Sequence, residues 1–161
     1  MGPLLLIGFS GVGKTTLSKY LLEHYTRHFT NVVEVSDIVK QISKDKTGTD
    51  VLQNDTIKKE LLKQITNTTI VTGLRETYLV EQIAQNYPTT YLAKLMLSEQ
   101  KRIERLLHRG LNLEQIKTKY INEVKIGLFD LMYQNFNNVF DSKQSVITLA
   151  IDIMMHYTRR I

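Results

Sequence analysis

Between Gly8 and Thr15 the chain reads Gly-Phe-Ser-Gly-Val-Gly-Lys-Thr, which fits the spacing G-x-x-x-x-G-K-[ST]. Glycines reach backbone angles closed to residues with a Cβ, so successive N–H groups of such a turn converge on an anion. Lys14 sets a point charge against the outer phosphates of a bound nucleoside triphosphate, and the Thr15 hydroxyl is a ligand for Mg²⁺. A helix that begins near Gly13 adds the positive end of its dipole. Gly8, Ser10, Gly11, Val12, Gly13, Lys14, Thr15 and Thr16 are therefore the expected nucleotide contacts.

Such a loop works only between a strand and a helix, and the flanking sequence supplies both. Residues 3–8 are continuously apolar, as at the centre of a parallel sheet, and Leu17, Tyr20, Leu21 and Tyr25 give a helical face from Lys14 to about Arg27. Val32 to Val35 reads as a second strand that ends at Ser36-Asp37, with Ile38, Val39 and Ile42 continuing helically. The polar stretch Ser43 to Asp50 reads as a mobile loop. Asn54 or Asp55 caps a helix to about Thr66, with Ile57, Leu61, Leu62 and Ile65 on one face. Thr69–Thr72 is a strand stopped by Gly73, and Glu76 to Asn86 a helix closed by Pro88. Tyr91 to Leu97 is a strand of imperfect alternation (Leu92, Lys94, Met96). Ser98 caps a basic helix, Glu99 to His108, that Gly110 ends. From Asn112 or Leu113 a long helix runs through Leu131, with Ile116, Tyr120, Val124 and Leu128 spaced for burial. Val139-Phe140 is a fifth strand, and Ser145 caps a last helix. Strands alternating with helices imply one α/β domain over 1–161.

The bulk composition narrows the ligand class. The 161 residues are 42% apolar and 23% charged, with a net charge of +5, so polyanionic ligands are expected. Outside one cluster at 101–109 the basic residues are spread out, which suits small phosphorylated ligands; nucleic acid is not expected as a partner. No apolar run is long enough to span a bilayer, so no membrane association is expected. Cysteine is absent, which excludes disulfides and thiolate metal sites. The first residues enter a core strand with no basic region before it, so a cytoplasmic location is expected. The four histidines have no ligand-like spacing.

A guanine-nucleotide switch would need an N-K-x-D base-recognition element after a strand, and the chain has none. A motor-type ATPase would end a later strand in Asp or Glu; here that strand ends in Thr72-Gly73. The order of elements does have a counterpart. The glycine loop, then Val35-Ser36-Asp37, then Ile70 to Glu76, then Arg102-x-x-Arg105-x-x-x-Arg109 together resemble the nucleoside monophosphate kinase-like group. Within it the chain is most similar to small phage and archaeal nucleotide kinases and dephospho-CoA kinase-like proteins. The resemblance spans nearly the whole chain. It implies the three-layer P-loop NTPase fold, a five-stranded parallel sheet with helices on both faces.

It also implies transfer of the γ-phosphoryl of ATP, with Mg²⁺, to a ribo- or deoxyribonucleoside monophosphate, by a monomer or homodimer. Dephospho-CoA or another small molecule is the alternative acceptor; a nucleotide-dependent assembly ATPase without an acceptor is the alternative class. The acceptor would lie in the helical region 37–66, and residues 98–113 would form a short lid. Arg75, just past a strand end, would grip the acceptor's phosphate with its fork; it could instead pair with Glu76 or Glu81 on the surface. Asp37 would orient the acceptor oxygen, accept its proton or hold a Mg²⁺-bound water, and could equally cap the helix from Ile38. In adenylate kinase-like lids one arginine stacks on adenine and the one four residues later touches phosphate, which places Arg105 and Arg109 in those roles. A solvated face neutralised by Glu99 and Glu104 is the other reading of that cluster. The loop Asp141 to Ser145 would lie by the base or be a plain turn. The acid-Gly pair expected after strand three is Thr72-Gly73, and the segment between Arg109 and Glu114 is short for a lid.

Overall fold

The structure, a computed structural model, describes residues 1–42 and 55–159; the polar stretch read as a mobile loop and the candidate cap Asn54 lie outside the described residues. The described chain forms strands β1 (Leu4–Ile7), β2 (Asn31–Glu34), β3 (Thr69–Thr72), β4 (Tyr91–Met96) and β5 (Asn138–Asp141). Its helices are α1 (Lys14–His24), α2 (Val35–Ile42), α3 (Asp55–Gln64), α4 (Thr77–Asn86), α5 (Glu99–His108), α6 (Leu113–Ile126), α7 (Leu128–Met132) and α8 (Val146–Thr158). All five strands are parallel, in the order β2-β3-β1-β4-β5. With β1 central, its C-terminal loop has β3 on one side and β4 on the other.

The continuous apolar run at Leu4–Ile7 follows from burial on both faces. Leu5, Ile7, Val33 and Val71 face a core shared with α2, α3, α4 and α7. Leu4, Leu6, Ile70, Ala93 and Leu95 face the opposite core, against α1 and α8. Helix, sheet and helix thus form three layers, as the sequence implies. No helix among the described residues is long and apolar enough to cross a membrane.

Three features differ from the sequence reading. Strand two stops at Glu34, so Asp37 lies in the first turn of α2 rather than beyond a strand end. On β4 the buried residues are Tyr91, Ala93 and Leu95, the opposite phase from the alternation read off Leu92, Lys94 and Met96. Lys94 is accommodated because its ammonium donates to the Met132 carbonyl at 2.7 Å and lies over the Phe136 ring. Most consequential, the long helix breaks at Gly127, whose φ of 122° ends α6 and restarts the chain as α7. Leu128 is buried beyond the break, but Tyr120 and Val124 are exposed, and of α6 only Ile116 and Glu123 are buried. Helical spacing of apolar residues cannot register that α6 has little core to face.

Stability follows the burial map. Ile153→Ala, at a fully buried site, is expected to cost about 2–5 kcal/mol. Ile121→Ala, on exposed α6, should change stability by less than about 0.5 kcal/mol. Urea denaturation of the two variants checks this contrast.

Candidate active site

The glycine turn leaves β1 at Ile7 and enters α1 at Lys14, with Gly13 (φ 94°) as N-cap and no side chain capping the helix. Neighbouring backbone packs tightly around it. A Cβ at Gly8 would come within 2.8 Å of the Leu95 carbonyl oxygen, and one at Gly11 within 2.8 Å of the Arg102 carbonyl oxygen. The N–H groups of Gly11, Gly13 and Lys14 have no acceptor among the described residues, as an anion cradle requires. Lys14 folds back beneath the turn, donating to the Gly8 carbonyl at 2.5 Å and the Phe9 carbonyl at 3.1 Å. Burial of the ammonium pushes its pKa from 10.5 down to about 8; Glu123 and Glu34 oppose that shift, while Arg75 and Lys119 add to it.

Two cavities meet at the turn. One, of about 530 Å³, is lined by Gly8, Ser10, Gly11, Gly13, Lys14 and Thr15 of the glycine turn and by Asp37 and Arg75. The other, of about 510 Å³, is walled by Val12, Thr16 and Arg105 and by Ser142 and Gln144 of the β5–α8 loop. Gly13 and Arg109 line both. The cluster at 101–109 is therefore no plain solvated face. The Arg105 guanidinium donates to the Val12 carbonyl at 3.2 Å, the Gly11 carbonyl at 3.4 Å and the Ser142 carbonyl at 2.7 Å, tying the turn to the β5–α8 loop. Arg102 stacks over the Phe9 ring, 5.0 Å from its centroid. Arg109 is exposed and Arg75 half-buried; neither has an ion pair among the described residues, so the alternative pairing of Arg75 with Glu76 or Glu81 is not formed there.

A carboxylate stands one strand over from Thr72. Glu34 is register-paired with Thr72, whose hydroxyl donates to Glu34 Oε2, while the Ser36 hydroxyl donates to Oε1 at 3.1 Å. Gly73 (φ 80°) makes room for this carboxylate: a Cβ there would come 2.0 Å from Glu34 Oε1. Among the described residues no three His, Cys, Asp or Glu side chains gather as a metal cluster. A sparse set fits Mg²⁺ all the same, since that ion keeps several waters and takes one or two protein ligands plus phosphate oxygens.

A model of the AAA domain family matches residues 4–126. The chain belongs to that family. No curated protein matches it by sequence. Among solved structures, a gluconokinase from Sinorhizobium meliloti 1021 is similar at 15% identity and a TM-score of 0.68, over 98% of this chain and 92% of that one. A shikimate kinase from Acinetobacter baumannii, in complex with shikimate, is similar at 15% identity and 0.67, over 100% and 96%. A shikimate kinase from Aquifex aeolicus vf5 follows at 13% identity and 0.58, over 98% and 96%. At these identities the likeness establishes a shared fold.

In this AAA domain four further side chains stand at the site or beside it, none of them given a role there by the sequence reading. Glu34 followed an apolar run and could have been noticed there; its relation to Thr72 needs the strand register. Lys119 and Glu123 of α6 line the phosphate cavity, with no local signal in the sequence. Glu76, next to Arg75, has a buried carboxylate oxygen without a partner among the described residues, and burial raises its pKa.

Two outcomes follow for the free protein. Gly73→Ala should lower stability by about 1–3 kcal/mol, because it must both adopt a left-handed backbone and displace Glu34; chemical denaturation measures it. Because folding depresses the Lys14 pKa, its charged form opposes folding below about pH 8, and stability rises with pH between about 8 and 10.5. Phosphate binding runs the other way, since it needs the ammonium. Metal-free ADP should bind more weakly as pH rises through about 8 and take up as much as one proton per ADP. Calorimetry in buffers of different ionisation heat reads that uptake, and Lys14→Met should abolish it.

Proposed function

We propose that this chain is a Mg²⁺-dependent kinase that transfers the γ-phosphoryl group of ATP to a small anionic acceptor. The observation that carries the reading is the 530 Å³ cavity, lined both by the glycine turn with Lys14 and by a separate cation, Arg75, on the neighbouring strand's loop. Two cations from different elements lining one cavity suit two anionic ligands meeting there, where catalysis is mostly positioning and charge neutralisation. The base and ribose of ATP would occupy the 510 Å³ cavity between Arg105 and the β5–α8 loop. Arg109, reaching both cavities, would follow the transferring phosphoryl and help exclude water as the 98–113 segment closes. Thr15 with Asp37 or Glu34 would hold Mg²⁺ directly or through water, and that ion would neutralise charge between the β- and γ-phosphates.

The acceptor we place first is a nucleoside or deoxynucleoside monophosphate, its phosphate gripped by the Arg75 fork and its base toward the 37–66 region. Such an acceptor arrives with its nucleophilic oxygen already ionised and needs no base. A second reading, a hydroxyl-bearing acid or other small molecule, is favoured by the carboxylates of Glu34 and Asp37 in the same cavity, because a hydroxyl must lose its proton in the transfer. Arg75 would then hold a carboxylate. The printed substrate of one shikimate kinase neighbour, shikimate, is an acceptor of that kind.

ADP release measured with Mg²⁺-ATP across nucleoside monophosphates, dephospho-CoA and hydroxy acids separates these readings. Turnover of about 1–100 s⁻¹ with one acceptor is expected of a kinase; acceptor-independent release stimulated by a macromolecule would replace the reading with an assembly ATPase. Lys14→Ala should lower kcat by at least about 100-fold. Arg75→Ala should lower acceptor kcat/KM by about 10- to 100-fold while leaving ATP affinity within about twofold. An equal loss of ATP affinity would move Arg75 out of the acceptor site.

A further inference from the structure

The least expected group at the site is a carboxylate. Glu123, near the C-terminal end of α6, is 3% exposed, and both of its oxygens accept from the Ser10 N–H, at 3.3 and 3.2 Å. That N–H belongs to the turn built to hold phosphate, and Glu123 is the largest favourable charge acting on Lys14. A buried carboxylate that takes an N–H of an anion cradle beside the cradle's own lysine occupies part of the place of a phosphate oxygen. An incoming phosphate would meet a like charge there and would compete for the same donor.

The helix that carries Glu123 is suited to move. Apart from Glu123 it buries only Ile116, and Leu113, Tyr120, Ile121 and Val124 are exposed. Gly110 (φ 95°) and Gly127 (φ 122°) stand just outside its two ends. Resting on the phosphate-binding part of the function proposed above, we infer that Glu123 is an internal competitor for the nucleotide: it fills the phosphate turn when no nucleotide is bound and pins α6 over it, and nucleotide binding displaces Glu123 and releases α6. The apparent affinity for nucleotide is then reduced by the fraction of molecules in which the turn is filled. Lys119, one helical turn before Glu123 and lining the same cavity, is the group α6 can offer to phosphate once the carboxylate withdraws.

The test compares wild type, Glu123→Ala, Glu123→Gln and Lys14→Ala by calorimetry with metal-free ATP and with inorganic tripolyphosphate, at pH 6.5 to favour the charged form of Lys14. Glu123→Ala is expected to bind both about tenfold or more tightly than wild type, Glu123→Gln to fall between them, and Lys14→Ala to lose binding. The chain has no native cysteine, so spin labels at Thr118→Cys on α6 and Glu23→Cys on α1 report the helix position. The label separation should shift on adding ATP to otherwise wild-type protein, and the Glu123→Ala background should show the shifted distance without ATP. A merely structural Glu123 would lower the melting temperature on substitution yet leave affinity and distance unchanged. Equal or weaker binding by folded Glu123→Ala and Glu123→Gln, with Lys14→Ala still losing binding, would overturn the competitor role and leave the phosphate turn intact. Failure of wild type and both Glu123 variants to bind either ligand would overturn both.

Discussion

A half-buried ammonium tied to the carbonyls of its own glycine turn is the constraint around which the site is arranged. Lys14 is anchored to the carbonyls of Gly8 and Phe9, and burial has drawn its pKa down to about 8. A desolvated cation next to unpaired N–H groups favours an anion close by. The fold supplies two fixed carboxylates near it, Glu34 from the sheet and Glu123 from α6. They are held differently. Glu34 is clamped by hydroxyls of Ser36 and Thr72, whereas Glu123 is carried by a helix with little core beneath it.

The sheet order sets that local constraint between two adjoining cavities. Because β3 pairs directly with β1, the loop after Thr72 comes up beside the phosphate turn and brings Arg75 into the lining of the same cavity. Because β4 pairs with the other side of β1, α5 lies against the turn at Gly11 and sends Arg105 across to the β5–α8 loop. Ligand sites of open α/β sheets lie at the C-terminal ends of the strands, and here the strands on each side of β1 furnish a different half of the site. Arg109, just past the end of α5, touches both halves.

Family and fold place the chain among AAA domains that share the fold of a gluconokinase and a shikimate kinase. In a parallel sheet a side chain and its register partner on the next strand point the same way, so Glu34 and Thr72 project together toward the wall of the phosphate-side cavity. The cost is local and visible: the residue following Thr72 must be one without a Cβ.

The sequence by itself determined the phosphate turn, the alternation of strands and helices and most element ends, because those depend on short-range rules. Eight adjoining residues build the turn; an unbroken apolar run marks the central strand; Ser98, Asn112 and Ser145 each receive the N–H bond that a helix cap should. Tertiary structure alone decided which charges face Lys14. The Glu34–Thr72 contact joins residues 38 apart, and the Glu123–Ser10 contact residues 113 apart. It also decided that α6 ends at Gly127 and leaves Tyr120 and Val124 in solvent. Periodicity reports which side chains of a helix share a face, but whether a core lies opposite depends on where the rest of the chain has packed.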